Sequence, residues 1–490
     1  MTTEWGKVSA GEICRSIAGS WISGDVETIV KGICTDSRKI ISGELFLALT
    51  GERYNGHDFV GKALKKGAVG CIIQRGLSED KIETDEIPKS ILQIPRTVSP
   101  DPVIISVDDT LKALGDLAEW WRQEHRVKLT AITGSSGKTT TKEMLAGILE
   151  LGSRTLKNEG NLNNLIGLPL TLLLLDGKFK NCVVEMGMNR RGEIARLTEI
   201  AQPDVGVITN VGMVHLEGLG DIKKIAKAKL ELLEKMPERC EIILNGDDEL
   251  LMKEAAAFHK EKITFGFRKK NDVRAKKIRN LGREGISFDL EYRNVSWPVR
   301  LKVPGLHNVL NALAATAAGL RLHEPPERIV QGLGRFEGVK GRFAVNCLPG
   351  GAIIVDDTYN SNPSSLEAVL ASIENLVSKG GRIIAGLGEM MELGRATDSA
   401  HRKAGRMVAE LGAHYLFAMG EHAGEMIRGA VDSGMSSDQV EVVTTHSEMA
   451  RKIKGEMRKG DLVFLKGSRK IALEKVVEDL QSTQKMPKIH

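Results

Sequence analysis

The sequence predicts an α/β protein of three domains: a small α+β unit, a central unit with a mostly parallel sheet, and a Rossmann-like doubly wound unit at the C-terminal end. Three observations lead there. The chain has 490 residues, and domains commonly take ~100–200 residues each. Short apolar runs bounded by turn chemistry recur along it with helical periodicity between them, as strands joined by crossover helices require. Glycine is abundant, 52 residues against 14 prolines, which suits tight strand-to-helix turns.

The elements follow in order. Residues 1–110 carry apolar runs at 45–48, 70–73 and 104–107, and the proline-rich stretch 85–102 breaks their periodicity. A helix is predicted over 110–124, leading into a unit at 111–336. There the runs 127–133, 182–185, 205–210 and 241–245 read as parallel strands, while 263–303 alternates in polarity and predicts antiparallel ones. A small-residue helix over 307–320 and the Pro325–Pro326 pair close that unit. In 337–490 strands are predicted at 352–355, 382–387, 415–419, 440–443 and 462–465, with helices such as 364–377 and 400–411 between them. Residues 481–490 read as a loose tail.

Composition removes several function classes. Hydrophobic residues make up 41% and charged ones 27%, so packed cores are feasible and wholesale disorder is excluded. The 69 Lys+Arg against 64 Asp+Glu leave a net charge of +5, too balanced for a surface that coats nucleic acid. An aromatic content of 4% is too small for a base-stacking platform. The longest apolar run, LPLTLLLL at 168–175, is far short of the ~20 residues of a membrane span. The N-terminus lacks a basic segment followed by an apolar one, so no leader is expected. Six scattered cysteines without a C-x-x-C pair read as reduced thiols of a cytoplasmic protein.

The most informative segment is Gly134-Ser135-Ser136-Gly137-Lys138-Thr139-Thr140, between an apolar strand and a helix pattern. Glycines let successive backbone N–H groups turn inward on phosphate oxygens, and the helix N-terminus adds its dipole. Lys138 can reach the β/γ-phosphates and Thr139 can ligate Mg²⁺. Ile132 stands where the longer form of the motif has its first glycine. The central unit is therefore expected to be of P-loop type, with a nucleotide-phosphate site that a kinase, a switch, a motor or a ligase could each use. Glu185 ends a strand where α/β sheets bind ligands, but taken alone it reads as a helix-capping carboxylate. His215 alone reads as a loop residue, and Lys229 as part of a solvated amphipathic helix. GLGEMMELG offers Gly386 and Gly388, but Met391 stands in place of a third dinucleotide-binding glycine.

Several segments together resemble the Mur ligase family of ATP-dependent amide-forming enzymes. They are TGSSGKTTTKEM, NEGNLNNLIGLPLTLL, VVEMGMNRRGEI, ITNVGMVHLEGLG, AKAKLELLE, GLHNVLNALAA, VKGRF, VDDTYNSNP and FLKGSRK, in the family's order. YNSNPSSLEAVL, GLGEMMELG and TDSRKIISGELFLALTGERYNGHDFV resemble the D-alanyl-D-alanine-adding subgroup, and no D-N-P-R segment is present.

The resemblance implies a reaction: D-alanyl-D-alanine joined to UDP-N-acetylmuramoyl-tripeptide through an acyl phosphate, giving the pentapeptide, ADP and phosphate for peptidoglycan precursor synthesis. It implies ATP and Mg²⁺ as cofactors, with a central ATPase domain and Thr139, Glu185, His215 and a carbamylated Lys229 as Mg²⁺ ligands, Lys227 being the neighbouring candidate for the carbamate. Lys138, His215 and Lys229 are the expected catalytic residues. Asn308 and Arg342 are expected on ATP, Asp357 on its ribose, and Asn360 on substrate. Asp36, Ser37 and Arg38 would meet the uridine diphosphate end, with a structural salt bridge for Arg38 as the other reading. Asn161, Asn163 and Asn164 would meet the muramoyl group or satisfy their own loop. His401 and the 466–469 segment are assigned to the dipeptide side or to domain closure. A monomer is expected, with no nucleic-acid partner and no membrane insertion. Two alternatives stay open: a sister ligase for another amino acid or for folate, and a P-loop regulator that does not ligate.

Overall fold

The structure is a computed structural model that describes residues 5, 8–51, 54–76, 101–214, 216–377 and 380–482. Three sheets organise it, one per domain. The first holds β1 (Ser20–Ser23), β2 (Ile33–Cys34), β3 (Leu45–Leu47), β4 (Gly70–Gln74) and β5 (Val103–Val107), ordered β1-β5-β4-β3-β2. Only β1 runs antiparallel to its neighbour. Most of the proline-rich stretch 85–102 and of the predicted tail lies outside the described residues.

The central sheet contains β6 (Lys128–Thr133), β7 (Thr155–Lys157), β8 (Asn181–Glu185), β9 (Val205–Ile208), β10 (Glu241–Asn245), β11 (Lys262–Gly266), β12 (Val273–Asn280), β13 (Ile286–Tyr292) and β14 (Val295–Leu301). Its order is β14-β13-β12-β11-β10-β9-β6-β8-β7. The expectation that 263–303 is wholly antiparallel needs correcting. β11 runs parallel to β10, and β12 to β11; the direction reverses only at β13 and β14. Alternating polarity marks a strand with one wetter face and does not fix its direction: β11 and the start of β12 alternate in burial while running parallel to their neighbours. The apolar run 168–175 contributes the short buried helix Gly167–Leu172, and no helix among the described residues is long and apolar enough to cross a membrane.

The third sheet comprises β15 (Ala344–Cys347), β16 (Ile353–Asp357), β17 (Ile383–Gly388), β18 (Tyr415–Met419), β19 (Val440–Val442) and β20 (Leu462–Lys466), ordered β15-β16-β20-β17-β18-β19. All but β15 are parallel. Alternate residues of each strand serve opposite cores, as the two-residue side-chain period demands. Val355 and Phe464 pack with Leu366, Val408 and Met426 on one face. Ile354 and Val463 pack with Met449, Ile453 and Val476 on the other. This is the doubly wound arrangement.

Between the first two sheets lies the helix Thr110–Gln123, N-capped by Asp109, whose carboxylate accepts from Leu111 and Lys112 N–H. Its Trp121 stacks on Trp5 at 4.3 Å. The two indole N–H groups donate to Leu175 O and Leu173 O of the central domain. One apolar core then runs from Ile13 through Leu117 and Leu129 to Leu251 without interruption.

Candidate active site

The ends of β6, β8, β9 and β10 meet at one edge of the central sheet, and the chain after each contributes to a single cleft. β6 leads into the phosphate loop. Gly137, in the left-handed region at φ +79°, enters the helix Lys138–Leu149, and a Cβ there would run into Asn311 Oδ1. The loop is tied to the segment after β9. Ser135 N–H donates to Asn210 O (3.1 Å), Ser136 N–H to Asn210 Oδ1 (3.0 Å), and Thr209 Oγ1 to Ser136 O (2.6 Å). Ser135 Oγ exchanges hydrogen bonds with Gly212. The loop's shape is thus set by a second strand end as well as by its own glycines.

Lys138 Nζ curls back onto Gly134 O at 2.8 Å. Burial lowers its ammonium below the ordinary lysine range, with Glu185 opposing and Arg342 adding to the shift. Thr139 Oγ1 donates to Glu185 Oε2 (2.7 Å), and Asn163 Nδ2 donates to Glu185 Oε1 (2.8 Å). Burial pushes the Glu185 carboxyl up, but Lys138, the Thr139 hydroxyl and Arg342 outweigh it and keep the group below its usual value. Glu185 is therefore an anion beside the phosphate loop. Asn158, 2% exposed, holds it from behind: Asn158 Oδ1 accepts from Glu185 N–H (2.9 Å) while its Nδ2 donates to Glu185 O and Leu162 O. Lys142, 1% exposed, reaches from the phosphate-loop helix to Asn158 O.

Lys229 lies in the helix Ile222–Lys235, which Asp221 caps. It is 2% exposed, so the solvated-helix reading fails for this residue. Burial, and then Lys138, drive its ammonium well below the ordinary range, and no carboxylate pairs with it among the described residues. His215 lies outside the described residues.

Across the cleft stands the third domain. Arg342 Nη2 donates to Thr139 Oγ1 at 3.3 Å. Asp357, ending β16, accepts from Phe343 N–H (3.0 Å) and pairs with Lys466 at the end of β20. The resulting cavity, about 260 Å³, is lined by Ser135 to Thr140, Asn308, Arg342, Asp357 and Asn360. These sequence-predicted residues come together, and Glu185 and Asn163 join them through Thr139.

Others stay apart. Arg38 binds Asp36 of its own turn through Nε and Nη2, both at 2.9 Å, and these bonds, with Arg38 N–H, bring Asp36 to a pKa of about 2. Ser37 is buried beside them. Asn164 Oδ1 accepts from Ile166 and Gly167 N–H where the next helix begins, and Asn161 is exposed. His401 is buried, accepting from Met390 N–H (2.9 Å) and facing Thr397 O, so it shapes the GLGEMMELG loop away from the cleft.

Sequence reasoning missed His307, Asn311, Thr209, Asn210 and Asn245, all on the cleft wall. Asn311 carried a signal: it lies three residues beyond Asn308 on an otherwise small, apolar helix face, where a buried amide needs a reason.

The fold and cleft define a three-domain α/β protein with a nucleotide-phosphate site between its second and third sheets. The family model for the Mur ligase middle domain matches residues 132–319, that for the Mur ligase glutamate ligase domain 341–469, and that for the Mur ligase family catalytic domain 29–122. The chain belongs to the Mur ligase family. It is 34% identical over 458 residues to UDP-N-acetylmuramoyl-tripeptide--D-alanyl-D-alanine ligase of Bacillus subtilis, covering 93% of this chain and 94% of that one. To the ligase of the same name from Escherichia coli it is 32% identical over 451 residues, covering 92% and 93%. Crystal structure I of MurF from Acinetobacter baumannii superposes with a TM-score of 0.84 at 32% identity, covering 96% of this chain and 98% of that one. MurF from Thermotoga maritima, solved with ADP, gives 0.78 at 27%, covering 92% and 97%.

Proposed function

We propose that this chain is an ATP-dependent ligase that joins D-alanyl-D-alanine to UDP-N-acetylmuramoyl-tripeptide. The observation that carries the reading is the meeting of phosphate loop and third domain at Thr139, with Lys138 and Arg342 both turned to one cleft. Full-length relatives of that activity support the choice of substrates, and an ADP-bound relative supports ATP use.

Amide formation from a carboxylate and an amine is very slow in neutral water, so the carboxylate must be activated. Its oxygen takes the γ-phosphoryl group, ADP leaves, and an acyl phosphate results. The dipeptide amine attacks the acyl carbon, a proton is lost from nitrogen, and phosphate departs as the amide forms. Lys138 and Arg342 stand where negative charge grows on the phosphoryl oxygens. A preorganised contact of that kind contributes about 3–4 kcal/mol.

Thr139 and Glu185 fit a Mg²⁺ site: both are hard oxygen donors, already in contact, and Glu185 is kept anionic. These two, with His215, would hold the ion, which shields charge between phosphates when bound. Lys229 suits carbamylation because burial and Lys138 disfavour its ammonium, and the neutral amine is the form that adds CO₂. Lys229→Ala should lose activity that short carboxylic acids restore, and ¹³C-bicarbonate should label only the parent protein; full activity in Lys229→Ala without additive would end that assignment.

Asn308 and Asp357 are assigned to ATP, Asn360 to substrate, and residues 36–38, 161, 163 and 164 to the uridine-linked precursor. Domain divisions fall at 110/111 and 336/337. A cytoplasmic setting agrees with six unpaired thiols. Phosphate release, measured with ATP and the UDP-tripeptide, should depend on the dipeptide. Equal turnover without dipeptide would sink the ligase reading, and turnover with a single amino acid would favour a sister enzyme.

A further inference from the structure

Tyr359 follows the strand-end residue Asp357 by two positions, and no task falls to it in the ligase reading. Three contacts single it out. Arg342 lies over its ring with Cζ 4.0 Å from the centroid, and Arg469 Cζ lies 5.5 Å from the same centroid. Tyr359 N–H donates to Gly341 O at 3.1 Å. Gly341 has φ +72°, and a Cβ on it would sit 3.3 Å from both Tyr359 N and Cβ. The residue just before Arg342 is therefore pinned to the backbone of Tyr359, while the guanidinium is pinned to its ring.

Arg342 needs such a hold. Among the described residues no carboxylate pairs with its guanidinium, whose Nε is buried without a partner and whose Nη2 donates to Thr139 Oγ1. Glu185 acts on it only through space; a guanidinium partly withdrawn from water without a directly paired anion is costly, and a long side chain left loose loses rotamer entropy when it binds. A carboxylate beside it would fix the group but cancel its charge and compete with phosphate. An aromatic face attracts the cation without neutralising it and leaves the N–H edge free. Arg469, the other cation on the ring, already has Glu474 at 3.1 Å, so Arg342 is the one left for an incoming anion.

We infer that Tyr359 is a positioning residue: it holds Arg342 beside Thr139 and the phosphate loop with its charge intact, so that the third domain presents a ready cation to ATP. This rests on the ATP reading of the cleft. The test is a double-mutant cycle in the full chain with Tyr359→Leu, Tyr359→Phe, Arg342→Ala and the Leu/Ala double variant, reading ATP affinity by calorimetry and kcat/KM for ATP.

Tyr359→Leu should weaken ATP binding roughly 3- to 30-fold, the span of a cation–π contact. Tyr359→Phe should stay within about twofold of the parent, since the ring face is kept. Tyr359→Leu should add nothing once Arg342 is alanine. Loss of the same size on both backgrounds, or a Phe variant as weak as Leu, would overturn the proposal. Weakening by Arg342→Ala with none by Tyr359→Leu would overturn the proposal and leave the ATP site standing. No weakening by Arg342→Ala would overturn both. Should Tyr359→Leu fail to fold, Tyr359→Gln, planar but without an aromatic face, takes its place in the cycle.

Discussion

The two domain junctions of this chain are built from opposite materials. Between the first and second domains, Trp5 stacks on Trp121, and one apolar core passes through the joint. Between the second and third, the cores are separate. There the hydrogen bonds Arg342 to Thr139 and Glu217 N–H to Glu392 O (3.1 Å) cross the joint, and one ring contact, His307 on Phe343, joins them. An apolar joint loses its whole burial energy when parted, whereas polar contacts exchange readily with water. The first junction is a weld and the second a gate, the arrangement that the proposed nucleotide cleft would need in order to open and close.

The largest expected effect breaks the weld. Trp121→Ala removes a buried indole and its bond to Leu175 O, and should cost about 3–5 kcal/mol of stability. Urea unfolding measures it, and a loss below about 1 kcal/mol would mean that the joint relaxes without the ring. Next comes Lys138→Ala in the gate. Its turnover should fall by a factor of about 10²–10³, while the urea midpoint stays near the parent's. A parallel fall in stability would show that Lys138 holds the loop together and would weaken its catalytic assignment.

How much of this was legible beforehand follows the same division. Local chain chemistry was readable: the phosphate loop, β10 and β18 lie where periodicity and turn residues put them. Among the short edge strands β19 was foreseen at 440–443, but β7 and β15, at three and four residues, were not, since so few positions carry too little alternation to register reliably. β17, the second strand foreseen in its unit, is accordingly the third in chain order. In the site, residue types were readable but partners were not. Arg342 and Thr139 are 203 positions apart, and Lys466 and Asp357 are 109 apart. Arg38 and Asn164 show the converse, since their partners proved to be the nearest available groups.

A third prediction sharpens the gate's inner support. Asn158→Ala leaves the Glu185 backbone groups and the Leu162 carbonyl without their partner, at a cost of about 1–3 kcal/mol. Thermal unfolding should show that loss, and Asn158→Asp, which keeps only the acceptor, should recover part of it. A variant as stable as the parent would mean that water replaces the amide.

The smallest effect concerns acid. His307 lies at the gate, edge-on to Phe343 at 4.8 Å, with Nδ1 buried and unpartnered. Burial lowers its pKa to about 4, with Asp357 opposing and Lys466 adding to the shift, whereas an unfolded histidine titrates near ~6.5. Between those values the unfolded chain binds a proton that the folded chain refuses, so stability rises with pH through the window and is lost as pH falls from 6.5 toward 4. From pH 7 to 5.5 the loss should be about 1 kcal/mol. His307→Gln should flatten the urea midpoint against pH over that range by the same amount. Parallel curves for parent and variant would place the ring in water in the folded state, and the gate would then be wetter beside Phe343 than its packing implies.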